Sequence, residues 1–114
     1  MRQQVQAQVL TIYVGDDDKW HGGLLYPAIV ARLKEIGIAG VTVLHGMEGF
    51  GANAQLHTDR FDVMFRGLPV VITAVDVRER IARALPALEE MIEEGLVTVQ
   101  DAHAIRFNKD PRTL

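Results

Sequence analysis

Apolar residues cluster in four short runs and recur at helical spacing in two longer ones. Val9 to Val14 (VLTIYV) is β-branched and aromatic, which predicts a strand. From Leu24 to Ile36 the apolar positions Leu25, Ile29, Leu33 and Ile36 fall on one face of a helix. Gly37 is placed to end that helix in a left-handed conformation. Ala39 to His45 predicts a second strand and Leu68 to Asp76 (LPVVITAVD) a third. Asp76 followed by Glu79 has the form of a capping box, and Ile81, Leu85, Leu88 and Ile92 mark the stripe of a second helix. Pro86 inside it removes a hydrogen bond at about 3 kcal/mol, which predicts a kink or a restart. Gly95 closes the helix, Leu96 to Gln100 begins a fourth strand, and Arg106 ends it. The tail from Asn108 to Leu114 is expected to be disordered.

Strand-helix-strand occurs twice, so short connections and right-handed crossovers favour a ferredoxin-like α+β fold. Its order is βαββαβ, with an antiparallel four-stranded sheet and both helices on one face. The chain reads as a single domain over 1–114, with a core over 8–107. In that topology the turn 15–23, the long connection 46–67 and the turn 94–96 emerge at the same end. The third strand adds a second inference. Val70, Val71, Ile72, Ala74 and Val75 are apolar on both alternating faces, while the helices cover only one. The other face is expected to pack against another subunit.

The connection 46–67 is the anomaly. Neighbouring antiparallel strands are usually joined by about two to five residues, and much longer connections tend to carry function. It opens with Gly46-Met47-Glu48-Gly49-Phe50-Gly51, where backbone can take positive φ or approach a ligand closely. From Ala52 to Arg66 few core-sized residues oppose chain entropy, so mobility is expected there without ligand.

Composition narrows the function. A net charge of −3 without a basic stripe argues against nucleic acid. No apolar run approaches the roughly 20 residues that cross a bilayer, so direct membrane insertion is not expected. Met1 to Gln8 is polar rather than a secretory signal, which leaves the cytoplasm as the expected location. The chain has neither cysteine nor serine, so catalysis would rest on His, Asp, Glu and Lys. Glu89, Glu90, Glu93 and Glu94 read as a solvated helix end, and Arg32, Lys34, Arg78, Arg80 and Arg83 as solvated helix faces.

Lys19, Trp20 and His21 lie in the turn expected to face the glycine loop. Trp20 could stack on a base there, and Lys19 could neutralise a phosphate. His45 and His57 flank the loop with Glu48 between them. Such a set can bind a divalent metal, although its spacing matches no compact motif. A small ferredoxin-like enzyme or metal-binding protein using His45, Glu48 and His57 is therefore the alternative reading.

The combination of Gly15-Asp-Asp-Asp-Lys19 with Leu25-Tyr26, Gly40 to Gly51 (GVTVLHGMEGFG), His57-Thr58, Leu68-Pro-Val-Val-Ile72 and Val75-Asp76 resembles the PII-like domain-of-unknown-function family 190. The resemblance spans residues 8 to 107. It is similar in turn to the nitrogen-regulatory PII proteins, which implies a non-enzymatic homotrimer binding an adenine nucleotide in clefts between subunits. The long loop would then report the ligand to a protein partner, a membrane transporter being one candidate. The resemblance sets Gly49-Phe50-Gly51 against the nucleotide's phosphates or ribose, and with the adjoining Gly46 and Glu48, a phosphate-facing His45 and Lys19 these are the expected nucleotide-binding residues. Arg106 stands roughly where PII proteins place arginines that reach a neighbour's phosphates. Two departures matter. Glu93-Glu94-Gly95-Leu96 offers no cation where PII proteins carry a lysine for the outer phosphates, so AMP or ADP is expected over ATP. The connection 46–67 also lacks the tyrosine that PII loops carry for covalent modification.

Overall fold

The computed structural model describes residues 2–49 and 67–109. In chain order the elements are β1 (Arg2–Gly15), β2 (Lys19–Trp20), β3 (Gly23–Leu24), α1 (Leu25–Ile36), β4 (Val41–His45), β5 (Pro69–Asp76), α2 (Arg78–Met91) and β6 (Leu96–Phe107). The four long strands form one antiparallel sheet in the order β4-β5-β1-β6, and β2 and β3 form a separate small ribbon.

Alternation along the two central strands decides where the helices lie. Leu10, Ile12 and Val14 of β1 and Val70, Ile72 and Ala74 of β5 are buried. They stand opposite one another in register, Leu10 against Ala74 and Ile12 against Ile72, so they share one face. Against that face pack Leu25, Ile29 and Leu33 of α1 and Ile81, Ala84, Leu88 and Met91 of α2. Both helices therefore cover one side of the sheet, and the architecture is the expected ferredoxin-like one. Each fully buried Leu or Ile contributes about 1.5–3 kcal/mol.

Several local expectations are corrected. α2 runs through Pro86 without interruption. Its buried stripe is Ile81, Ala84, Ala87, Leu88 and Met91, while Leu85 is 40% exposed. Ala84 and Ala87 take the core-facing positions in its place. Asp76 and Glu79 do not form a capping box, since the N-cap is Val77, whose own side chain makes no capping hydrogen bond. Instead Asp76, buried at the end of β5, accepts from the Val77 N–H at 2.7 Å, the Ala39 N–H at 2.9 Å and Arg80 at 3.2 Å. Arg80 is thus an ion-pair partner rather than a purely solvated charge. Ala39 spends its N–H on Asp76, and β4 begins only at Val41. Gly37 ends α1 as expected, at φ 100°.

Two surfaces are left uncovered by the described residues. On the face away from the helices, Tyr13, Leu44, Val75 and Leu96 are large, apolar and exposed. β1 also starts earlier than its apolar run predicts. Its residues Arg2 to Ala7 pair only with Ala102 to Phe107 of β6, forming a two-stranded arm beyond the rest of the sheet. The molecule is accordingly elongated, 52 × 25 × 22 Å. A two-stranded ribbon alone is marginally stable in water.

Candidate functional site

The connections at one end of the sheet are tied together by backbone bonds. Asp16 donates its N–H to the Leu68 carbonyl at 2.8 Å, and Gly46 donates to the Pro69 carbonyl at 2.7 Å. Gly15 stands opposite Pro69 in the β1–β5 ladder. Gly95 packs beneath them, where an added Cβ would lie 2.9 Å from the Tyr13 carbonyl oxygen. The turn after β1, both ends of the long connection and the turn after α2 therefore meet, as the topology predicts. Phe50, Gly51 and His57, with the segment Ala52 to Arg66, lie outside the described residues; of the tail, Asn108 and Lys109 are described.

Pro69 organises this end, and sequence reasoning overlooked it. A Cβ on Gly46 would stand 2.5 Å from Pro69 Cγ, and one on Gly49 would stand 3.1 Å from the same atom. Both glycines thus let the chain pass over the proline ring, while Gly67 enters β5 at φ 74°. The available signal was a proline at the first residue of a strand, a position where its missing N–H costs no ladder bond.

His45 is exposed at the end of β4, with its ring edge-on to Tyr26 of α1 at 5.2 Å and 88°. Tyr26, next to the core residue Leu25, is thus an aromatic neighbour of His45. Glu48 and Lys19 are exposed. The turn after β1 is acidic: Asp18 accepts the Gly15 N–H at 2.9 Å, and Asp16 Oδ1 is buried with no hydrogen-bond partner among the described residues. Burial pushes the Asp18 carboxyl above its ordinary range. The Gly15 bond opposes that rise, and repulsion from Asp17, Glu94 and Asp16 adds to it.

Two expected site residues are placed elsewhere. Trp20 stacks on His21 at 3.9 Å and 15°, in a tight turn where His21 has φ 48° and Gly22 φ 84°. It packs against the core beside α1 and α2 and lines the groove between them. Arg106 sits on the arm opposite Gln3, ten residues along β6 from Leu96. At about 3.3 Å per residue it is roughly 30 Å from the glycine end. Within one protomer it does not join the site. Among the described residues no group of three or more His, Asp or Glu could hold a metal ion. No helix among them is long and apolar enough to cross a membrane.

Residues 7–104 match the DUF190 family, described as "Uncharacterized ACR". The UPF0166 protein MJ1524 of Methanocaldococcus jannaschii is 39% identical over 103 residues, which is 90% of this chain and 94% of that protein. The fold is similar to that of CPII, a nitrogen regulatory PII-like protein from Thiomonas intermedia K12. Its apo form superposes with a TM-score of 0.65 at 17% identity, covering 93% of this chain and 99% of that one. The same protein bound to ADP, AMP and bicarbonate gives a TM-score of 0.64 at 17% identity, covering 90% and 96%.

Proposed function

The chain belongs to the DUF190 family, and from that premise we propose that it is a non-enzymatic, nucleotide-responsive regulator of the PII-like kind. The observation that carries this reading is the convergence of the 15–18, 46–49, 67–69 and 93–95 segments at one end of a rigid sheet. Rigid scaffolds that present long loops are where binding residues concentrate. CPII, which shares the fold, has been seen with ADP and AMP. An adenine nucleotide, AMP or ADP, binds against Gly46, Glu48, Gly49, Phe50 and Gly51, with Lys19 and His45 near its phosphates.

The assembly is a cytoplasmic homotrimer. Burying the exposed face of Tyr13, Leu44, Val75 and Leu96 supplies the hydrophobic drive, and contact with a neighbour stabilises the arm. Arg106, remote from its own glycine end, then becomes available to a neighbour's. The connection 46–67 takes one arrangement with nucleotide and another without, and a protein partner such as a membrane transporter recognises one of them.

The acidic rim makes the ligand choice. Asp16, Asp17 and Glu94 lie within electrostatic reach of Asp18 at this end, and each added phosphate must be desolvated beside them. A thermal-shift series with AMP, ADP, ATP and GMP tests the reading, because a ligand selective for the native state raises Tm by mass action. AMP and ADP are expected to stabilise the protein most. No shift with any adenine nucleotide refutes nucleotide binding.

A further inference from the structure

The groove between α1 and α2 is a half-open cleft of about 490 Å³. Small apolar side chains line it: the half-buried Ala28, the exposed Ala31 and the buried Ala87, with the buried Met91. At one end stands Trp20. At the rim are Arg32 and Glu35, which neutralise each other through a 3.1 Å ion pair, and Glu90, whose carboxylate is exposed. The walls come from α1, α2 and β2. The groove therefore lies on the helical side, away from the exposed sheet face assigned above to contacts between copies, and stays open in such an assembly.

We infer that this groove is a binding site for a small organic cation bearing alkyl groups, held between the Trp20 ring and the Glu90 carboxylate. Three features favour that chemistry. The net charge of the lining is negative once Arg32 and Glu35 are paired. An aromatic face attracts a cation most strongly when the cation is poorly hydrated, as alkylammonium groups are. The indole is also held in advance: His21 stacks on one side at 3.9 Å, and the reversed turn at His21 and Gly22 fixes the loop, so little ordering entropy is lost on binding. This site is separate from the nucleotide end, so it stands or falls independently of the regulatory reading.

Trp20 is the single tryptophan of the chain, so its emission reports on the groove directly. The intact protein is titrated with choline and, in parallel, with 3,3-dimethylbutan-1-ol, its uncharged counterpart of the same shape. The inference predicts a saturable change with choline and at least about tenfold weaker response to the alcohol. Glu90→Gln, on an exposed helix position, is expected to weaken choline binding about tenfold while leaving Tm and AMP binding unchanged. Glu35→Gln releases Arg32 into the groove and is expected to weaken choline as well. Equal responses to choline and the alcohol would reduce the groove to an apolar cleft and overturn the inference. So would a choline response that Glu90→Gln leaves intact, or no choline response alongside saturable binding of a lysine-bearing helical peptide.

Discussion

Gly46 and Pro69 are in closest registry where the long connection leaves the sheet. The Gly46 N–H bonds to the Pro69 carbonyl at 2.7 Å, and the space a Cβ would need is already filled by Pro69 Cγ. The loop root is thus fixed by a two-residue fit rather than by glycine flexibility. Gly46→Ala should destabilise the fold by about 1–3 kcal/mol through overpacking. Adding Pro69→Ala should recover a large part of that loss, because it removes the ring atom that is struck. Urea unfolding of the two single variants and the double variant measures the coupling. Additive losses would show that the two residues do not meet as described.

Asp76 ties the end of β5 to the start of α2 and to the connection before β4. Asp76→Ala leaves the Ala39 and Val77 donors without that partner and should cost about 2–4 kcal/mol. Arg80→Ala removes only a half-exposed partner and should cost under about 1 kcal/mol. Chemical denaturation of both variants checks the ordering.

Asp18 sets a pH dependence of definite sign. Its carboxyl is raised from 3.8 in the folded protein, so the native state holds that proton more tightly than the unfolded state does. Its contribution is therefore most favourable below 3.8 and is lost as pH rises through the folded-state value. Asp18→Asn keeps an acceptor for the Gly15 N–H but carries no charge. It should raise Tm at neutral pH, with the difference from wild type shrinking as the solution is acidified. Melting curves across that range provide the check, and a Tm difference that grows on acidification would contradict it.

The exposed sheet face predicts self-association. Val75→Asp changes a residue that is 44% exposed in the protomer, so the protomer should still fold. In the assembly the carboxylate would be buried unpaired, a cost large enough to separate subunits. Sedimentation should show a trimer for the wild type and a smaller species for the variant.

Most of the fold was legible because its signals are local and periodic. The alternation in LPVVITAVD and the 3.6-residue spacing through Leu25, Ile29 and Leu33 each identify an element without knowledge of its neighbours. The convergence of turns at one end followed from topology alone. The errors arose where a residue's role depends on what lies across the fold. Leu85 fits a helical stripe, yet Ala84 and Ala87 take the core-facing positions. Asp76 looked like a local cap, but it holds Ala39 from 37 residues away. Trp20 was assigned to the loop side by sequence proximity, whereas the turn at His21 and Gly22 folds it onto the helices. Gln4-Val5-Gln6-Ala7-Gln8 alternates polar and apolar residues, a strand signal hidden by its glutamines, and pairing with β6 extends β1 back to Arg2.

The central claim is that this acidic sheet end binds an adenine nucleotide with few phosphates. Calorimetry of the purified protein with AMP, ADP and ATP in the same buffer tests it most directly. The account predicts saturable binding, with AMP or ADP at least as tight as ATP. ATP bound tenfold more tightly than AMP, about 1.4 kcal/mol, would contradict the electrostatic argument, and absence of binding by all three would contradict the nucleotide site itself.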